Sequence, residues 1–422
     1  MATRRDVLAG GLALAAGHAC GQTTAGAAQR VLIVGGGWGG LTAARRLRQA
    51  APELDVTLIE REAAFRSLPL SNAWLVGRTP EVLPRQDYAV AARAFGYRYL
   101  RAEVSAIDRE RRRVQAGPDT LAYDWLVLAA GIRYDYAPWL GGDARAIEAV
   151  RRLYPAGYVV GELDALQRKL AEFKGGVLLM TVPPGPARCQ PAPYERAMMI
   201  AWWLKTRRIP GRLVLVDAGG GMQRFNRVFA ERYKDQVQHL THATVKAVDP
   251  FKKTLSTEFD ELKFDDAIII PPQQAADLVW QAGLIETDAA GKPSGWAGVD
   301  PRHLHAIGDE RVFLVGDLLG RVSPLFGNYP KSAHMAVQLG RIAAAEIAAR
   351  SRGGQPELKL PESICHVHTD VEPMEMMRID AHYRLRGDGL IMQSVRQHED
   401  PQPRGEDVAW AQGLYAEILA RD

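Results

Sequence analysis

A glycine-rich loop near the start of the chain has residue types and a spacing that suit dinucleotide binding. The apolar run of residues 31–34 leads into Gly35, Gly37 and Gly40, after which a helical pattern begins. Gly35 permits a tight turn, Gly37 lets the backbone approach a pyrophosphate, and Gly40 allows the helix to pack closely on the strand. A second apolar run ends at Glu60, 20 residues beyond Gly40, where an acid can accept hydrogen bonds from a ribose. This order of strand, glycines, helix, strand and acid predicts a dinucleotide site.

The first helix should serve the same site, because its free backbone N–H groups and the positive end of its dipole favour a diphosphate. Trp38 and Gly39 lie at the predicted start of this helix, and Arg61 follows the acid. We therefore include these three residues in the predicted dinucleotide site.

A second motif identifies the dinucleotide. Residues 311–315 form another apolar run, which ends in Gly316 and Asp317. The glycine allows close approach and the carboxylate can accept hydrogen bonds from a ribityl chain, so the two motifs together predict FAD. Lys331 and Ser332 then begin a long helix, whose N-terminal N–H groups could stabilise negative charge on a reduced flavin.

Two other segments are predicted to approach the flavin. The buried-strand pattern of residues 123–131 closes on Ala130 and Gly131, whose small size lets the chain pass close to a cofactor. Residues 65–72, which end at Asn72, form the loop expected to cross the flavin.

Two cysteines are candidates for redox chemistry. Cys189 follows the strand pattern of residues 176–182, at the turn where a nicotinamide-dependent reductase would have a second glycine loop. Three prolines between residues 183 and 186 remove backbone N–H donors from this turn, so no NAD(P) site is predicted. Nothing in the local sequence forces Cys189 to meet Cys365, and independent surface thiols remain the alternative.

A metal site is not predicted. The segment of residues 365–370 contains Cys365, His366, His368 and an aspartate. Strand alternation places the cysteine on one face and the two histidines on the other, which separates the potential ligands.

Composition and the first residues restrict the class of protein. Fifty-three Lys and Arg against 49 Asp and Glu give a net charge of +4, too small for a nucleic-acid binder. Residues 1–27 resemble a twin-arginine export signal, since Arg4 and Arg5 precede an apolar segment too short to span a bilayer. We therefore expect a periplasmic protein whose mature chain has no integral membrane segment. Lipid attachment at Cys20 is left open.

The order of the patterns predicts an α/β fold with two Rossmann-like domains and a smaller C-terminal α+β domain, because 422 residues exceed one ordinary core. The FAD-binding domain is assigned to residues 28–155 and 284–350. The second Rossmann-like domain, without an NAD site, is assigned to residues 156–283, and the C-terminal domain with Cys365 to residues 351–422. Residues 408–419 predict an amphipathic helix without Lys or Arg, which should dock on protein.

Several runs taken together resemble the flavoprotein subunit of flavocytochrome c sulfide dehydrogenase, within a superfamily that includes the sulfide:quinone oxidoreductases. These runs are the glycine loop at Gly35, residues 70–72, Arg188-Cys189, residues 193–197, 270–273, 315–317 and 330–332, and Cys365 in its own segment. The resemblance covers nearly the whole mature chain, and the run around Cys189 is its most specific part. Leu68 stands where the family has its flavin-linking cysteine, so FAD is predicted to be held without a covalent bond.

The resemblance implies an FAD-dependent sulfide dehydrogenase in which Cys189 and Cys365 form a redox disulfide beside the flavin. Hydrosulfide would attack one sulfur of this disulfide and leave a persulfide and a thiolate. The electrons would then pass through FAD to a separate c-type cytochrome subunit. Glu195 becomes a candidate acid/base or electrostatic group, with a helix-cap or salt-bridge role as its alternative. The sequence does not say which cysteine carries the persulfide.

Two other functions remain open. A sulfide:quinone oxidoreductase would share the fold, but would need an apolar quinone channel and usually a membrane-binding tail. An FAD-bearing accessory protein would bind and regulate a sulfur-oxidising complex without turning over sulfide itself.

Overall fold

The structure is a computed structural model that describes residues 28–79, 84–159 and 161–420. The predicted export signal and Cys20 lie outside the described residues. Within these ranges, no helix combines the length and the apolar character needed to cross a membrane.

The strands, in chain order, are β1 Arg30–Val34, β2 Asp55–Glu60, β3 Ala64–Arg66, β4 Arg85–Asp87, β5 Arg98–Arg101, β6 Val104–Asp108, β7 Arg113–Ala116, β8 Asp119–Ala122, β9 Trp125–Leu128, β10 Ile132–Tyr134, β11 Gly176–Thr181, β12 Gly211–Val216, β13 Val237–Leu240, β14 Val245–Asp249, β15 Thr254–Thr257, β16 Glu261–Lys263, β17 Asp266–Ile268, β18 Gln273–Ala275, β19 Ile285–Thr287, β20 Pro293–Ala297, β21 His305–Ala306, β22 Asp309–Leu314, β23 Glu362–Val371, β24 Met374–Leu385 and β25 Ile391–Asp400. The helices are α1 Trp38–Ala50, α2 Ser71–Leu75, α3 Tyr88–Phe95, α4 Ala137–Leu140, α5 Ala144–Leu153, α6 Glu162–Glu172, α7 Ala192–Thr206, α8 Gln223–Arg232, α9 Asp277–Gln281, α10 Ala333–Ser351 and α11 Glu406–Ile418.

The largest sheet has six strands in the order β21-β22-β9-β1-β2-β5. Strand β1 pairs in parallel with β2 and β9, and β22, from much later in the chain, pairs in parallel with β9. Every residue of β9 is buried, as expected for a parallel strand covered on both faces. Helices α1 and α10 pack against each other beside this sheet, which brings the glycine loop close to the segment that follows β22.

A second, fully parallel sheet has the order β13-β12-β11-β17. Its core includes the buried side chains of α7, the helix that begins three residues after Cys189. The small sheets β6-β7-β8 and β14-β15-β16 are antiparallel attachments.

The segment that follows α10 forms a three-stranded antiparallel sheet in the order β23-β24-β25. The sequence suggests only short strands here, because charged residues interrupt the apolar alternation. The strands are 10, 12 and 10 residues long. Strand β25 pairs with β24 and is largely exposed. Strand β23 packs on α7 and α10, and α11 docks on α1 and α10.

The α/β fold class predicted from the sequence is confirmed by this arrangement. The domain boundaries stay a prediction.

Candidate active site

The glycine loop leaves room for a ligand in front of α1. Gly35 has a φ of +105°, and a side chain at Gly40 would clash with the carbonyl oxygen of Gly35. A Cβ at Gly37, in contrast, would meet nothing within 4 Å. The backbone is therefore tightly packed on one side of the loop and open where a pyrophosphate would approach the helix N-terminus.

The acid at the end of β2 is held against this loop. The Glu60 carboxylate accepts hydrogen bonds from the N–H of Gly36 at 2.7 Å and of Glu62 at 3.0 Å. Arg61 is exposed and pairs with Glu62 at 3.8 Å and with Glu103 at 3.6 Å. Glu60 thus lies beside the loop, whereas the role of Arg61 in cofactor binding stays a prediction.

Trp38 extends the loop toward the last helix. Its ring stacks on Tyr415 of α11, with centroids 5.8 Å apart, and meets Phe65 edge-on at 5.2 Å. Gly39 packs against Val315, close to the second motif.

The predicted flavin residue Asp317 is part of a buried polar cluster. Its Oδ2 accepts a hydrogen bond from Arg188 Nε at 2.5 Å. Lys331 donates from Nζ to the carbonyl oxygens of Asp317 and Leu319, at 2.8 and 2.7 Å, and lies 3.7 Å from the ring centroid of Trp296. Burial lowers the pKa of Lys331 to about 7.

Three small residues and a helix cap complete this side of the site. Gly316 and Gly131 both have positive φ, of +85° and +71°, and Ala130 is half-buried between the strand and the turn. Ser332 caps α10, since its Oγ accepts a hydrogen bond from the N–H of Met335 at 3.2 Å. The N-terminus of α10 therefore lies beside Lys331, as the sequence predicts.

The two cysteines meet although they are distant in the chain. Both are thiols in the structure, and a hydrogen bond joins Cys365 to Cys189. This bond, burial and the carboxylate of Glu195 together hold the pKa of Cys365 well above the usual value of a thiol. The N–H of Cys189 donates to the carbonyl oxygen of Lys331 at 2.8 Å, so the cysteine pair adjoins the cluster around Asp317.

Glu195 lies in the first turn of α7 and is bound from two sides. Its Oε2 accepts from Asn72 Nδ2 at 2.6 Å, and its Oε1 accepts from the N–H of His368 at 2.8 Å. The ring atom Nδ1 of His368 is 3.1 Å from the same oxygen. Glu195 thus forms an ion pair with His368, which agrees with its salt-bridge alternative, and its acid/base role stays a prediction.

Asn72 has its side chain among these residues. It also donates to the carbonyl oxygen of Ala192 at 3.1 Å, and its Oδ1 accepts from Arg196 Nε at 3.0 Å. The amide therefore contacts α7 and Glu195, and its predicted role in flavin binding stays a prediction.

The sequence does not single out His368 and Asp407 as site residues. His368 Nε2 lies 3.2 Å from Asp407 Oδ2, on the side opposite to Glu195. Burial lowers the pKa of His368, but the two carboxylates outweigh it and raise that pKa to about 10. Alternation along β23 indicates that His368 and Cys365 lie on opposite faces of the strand. No local pattern indicates that α7 and α11 supply the partners of His368.

Arg188 is a second residue whose role the sequence does not specify. Its backbone N–H donates to Gln273 Oε1 at 2.8 Å and its Nη1 to the carbonyl oxygen of Tyr158 at 2.6 Å. Among the described residues, the Tyr158 hydroxyl and Gln273 Nε2 are buried without a hydrogen-bond partner. Buried donors of this kind are rare, and these two would suit a bound cofactor or substrate.

The second sheet lacks the features of a nicotinamide site. Asp217 follows β12, where an acid would meet a ribose. Its carboxylate instead accepts from the Tyr194 hydroxyl at 2.8 Å and the N–H of Gly219 at 2.8 Å, and lies 3.2 Å from His239 Nε2. In the part of the chain that the structure describes, no three His, Cys, Asp or Glu side chains group as a metal site.

Comparison with protein families gives two matches. The family described as "Sulfide dehydrogenase [flavocytochrome c] flavoprotein chain, central" matches residues 164–271. The family described as "Pyridine nucleotide-disulphide oxidoreductase" matches residues 29–158. The first match covers the second parallel sheet, and the second match covers β1, β2, β5 and β9 of the largest sheet.

Individual proteins show the same similarity. The chain is 24% identical over 347 residues to the sulfide-quinone reductase of Aquifex aeolicus, which covers 76% of each chain. It is 49% identical over 45 residues to a sulfide dehydrogenase [flavocytochrome c] flavoprotein chain from Chlorobaculum thiosulfatiphilum, covering 11% of this chain and 94% of that one. The solved structure of the sulfide:quinone oxidoreductase from Aquifex aeolicus superposes with a TM-score of 0.73 at 19% identity, over 94% of this chain and 93% of the other. That superposition shows a shared fold.

Proposed function

The chain belongs to the sulfide:quinone oxidoreductase-like flavoproteins, and from this premise we propose that it is a sulfide dehydrogenase that oxidises sulfide through a Cys189–Cys365 disulfide. It is an oxidoreductase with FAD as its cofactor. The observation that carries the proposal is the contact between Cys189 and Cys365, next to Glu195 and to the cluster around Asp317.

The difference between the two cysteines supports an order of events. A thiol with a lower pKa is the better leaving group in thiol–disulfide exchange. Cys189 lies three residues before the start of α7, whose N-terminal dipole stabilises a thiolate, so we propose that hydrosulfide attacks the sulfur of Cys365 and that Cys189 departs as the thiolate. The persulfide then forms on Cys365, and the thiolate lies at the N-terminal end of α7, whose dipole stabilises negative charge.

The residues around Asp317 suit the electron-transfer half of the reaction. FAD, when bound, accepts an electron pair and can release electrons one at a time. Lys331 and the N-terminus of α10 provide positive potential beside it, while Arg188 connects Asp317 to the cysteine segment.

We propose a c-type cytochrome as the electron acceptor. The match of residues 164–271 and the 49% identical segment both concern flavocytochrome c proteins, which supports this acceptor over a quinone. We also propose that residues 1–27 export the protein to the periplasm. Replacing Arg4 and Arg5 by lysine should then retain the precursor in the cytoplasm.

Steady-state oxidation of sulfide by the purified protein, with cytochrome c or with a soluble quinone as acceptor, tests the proposal. We expect turnover with cytochrome c and bleaching of the flavin by sulfide alone. Faster turnover with quinone would make the protein a quinone reductase. No bleaching by sulfide would favour the accessory protein.

Replacement of either cysteine by serine tests the disulfide. Cys189→Ser and Cys365→Ser should abolish bleaching by sulfide, while dithionite still reduces the bound flavin. If Cys365→Ser were reduced by sulfide at the native rate, the disulfide mechanism would be wrong for this protein.

A further inference from the structure

A cavity of about 290 Å³ lies beside His368 and Asp407. Apolar side chains form much of its wall, including Leu70, Met199 and Val371. Its polar wall includes His368 and Asp407, together with Arg78. The cavity therefore meets the buried site at the imidazole of His368.

A series of polar contacts leads from Glu195, which acts electrostatically on Cys365, to this cavity. Glu195 influences Cys365 electrostatically, and its Oε1 lies 3.1 Å from His368 Nδ1. His368 Nε2 lies 3.2 Å from Asp407 Oδ2. Each side chain comes from a different element, α7, β23 and α11, so the tertiary fold rather than local sequence creates the series.

We propose that His368 and Asp407 form a proton relay that connects Glu195 to the cavity and carries away the proton released when sulfide is bound as a persulfide. The inference rests on the proposed function and deepens it. It assigns roles to a histidine and an aspartate that do not themselves touch the sulfur atoms, and so makes them positioning and relay residues.

The protons and electrons of the relay can be followed atom by atom. Hydrosulfide attacks the disulfide, an S–S bond forms to Cys365, and Cys189 leaves with the electron pair as a thiolate. The persulfide then gives its proton to the Glu195 carboxylate. Protonation of Glu195 removes one of the two carboxylate charges that keep His368 protonated. The imidazolium then gives its Nε2 proton to Asp407, which releases it to water in the cavity. No electron moves in this relay.

The charges that face His368 are compatible with this role. Glu195 on α7 and Asp407 on α11 are the carboxylates at its two ring nitrogens, and Arg78 lies across the cavity. On its own strand the nearby titratable residues are Cys365, His366 and Asp370. Because the two carboxylates raise the pKa of His368 to about 10, its imidazolium donates at both nitrogens, and loss of one carboxylate charge favours release of the proton that faces the other.

Asp407→Asn provides the direct test, because it keeps the shape of the side chain and removes the titrating group. We expect stopped-flow bleaching of the flavin by sulfide at pH 7 to slow at least about tenfold, with a larger solvent deuterium isotope effect. Added imidazole, small enough to enter the cavity, should restore much of the rate. Asp407→Glu should retain more of the rate than Asp407→Asn.

Glu406→Gln is the matched control, since Glu406 is exposed in the same turn of α11. It should leave the rate and the isotope effect unchanged. Equal rates for Asp407→Asn and Glu406→Gln would overturn the relay. A slow Asp407→Asn variant with an unchanged isotope effect and no response to imidazole would also overturn it, because that result indicates a structural role.

Measurements on the wild-type protein distinguish failure of the relay from failure of the proposed function on which it rests. If sulfide does not bleach the wild-type flavin, the proposed function fails before any variant is made. If it does, a proton inventory in mixed H2O and D2O should be curved, with more than one proton transferred. A linear inventory for a single proton would overturn the relay even where Asp407→Asn does not fold.

Discussion

Arg188 is the residue that connects the two chemical halves of the candidate site. Its guanidinium is bound by Asp317 on one side and by the carbonyl oxygen of Tyr158 on another, and its own backbone precedes Cys189. Asp317 is largely buried, and Arg188 is its ion-pair partner. A planar guanidinium can satisfy several acceptors at fixed angles, which a lysine could not do.

Leu68 provides a test of cofactor attachment. It lies next to the fully buried Ser67, whose hydroxyl contacts Tyr415 at 3.1 Å. Because leucine has no nucleophile and the Ser67 hydroxyl has no evident base, we expect FAD to be bound without a covalent link. Precipitation of the protein with acid should leave the yellow cofactor in the supernatant. Flavin retained in the washed pellet would contradict this.

At the scale of single elements, α11 is held by one buried acid. Glu417 accepts hydrogen bonds from Arg46 at 2.6 Å and from Arg341 at 2.8 Å. Burial acts in the opposite direction, but the two arginines outweigh it and lower the pKa of Glu417 to about 2. This ion cluster joins α11 to α1 and α10.

Glu417→Gln should weaken that attachment in a pH-dependent way. The folded pKa lies below the unfolded value of 4.5, so the stabilisation is complete above pH 4.5 and is lost as the pH falls toward 2. By linkage it amounts to at most about 3 kcal/mol. In urea denaturation, Glu417→Gln should lower the free energy of unfolding by about 1 to 3 kcal/mol at pH 7, and by less at pH 3.5. Glu406→Gln is the control, and an equal loss in both variants would refute the role of Glu417.

The turn after β11 predicts that nicotinamide nucleotides do not reduce the flavin. Its prolines remove N–H donors, and Asp217 on the neighbouring strand already binds Tyr194 and Gly219. We expect neither NADH nor NADPH to reduce the flavin at a catalytically useful rate. Stopped-flow mixing with each nucleotide checks this, and dithionite provides the positive control. Rapid bleaching by either nucleotide would show that a second nucleotide site exists.

At the scale of the whole molecule, a Cys189–Cys365 disulfide would join the second parallel sheet to the β23-β24-β25 sheet. In the chain-entropy model, a bridge that closes so long a loop stabilises the fold by up to about 5 kcal/mol. A bridge that must stay reducible should give less, because strain or stabilisation of the thiolate offsets part of the gain.

Oxidation should therefore raise resistance to urea. We expect thiol titration of the denatured, unreduced mature protein to find no free thiol, and two after dithiothreitol. The urea midpoint of the wild type should fall on reduction, whereas Cys189→Ser should show the same midpoint with and without dithiothreitol. Two titratable thiols before reduction would contradict the disulfide.

Sequence patterns predict the parts of this protein that depend on neighbours in the chain. The apolar run before Gly35 becomes β1, and the helix after Ser332 becomes α10, because burial and capping act over a few residues. The contact of Cys189 with Cys365 follows from the packing of β23 on α7, which no local pattern specifies. The same limit hides His368 and Asp407, since their partners come from separate elements.

The stacking of Trp38 on Tyr415 has a consequence for biosynthesis. Residues 406–420 are made after every other described part of the chain, yet they contact the first helix through Trp38, Arg45 and Arg46, and Ala420 bonds to Gln86. The wall beside the nucleotide loop is therefore completed only when synthesis has passed residue 415. A ribosome-bound chain stalled before α11 should therefore capture its cofactor poorly, and we expect loading to follow the synthesis of α11.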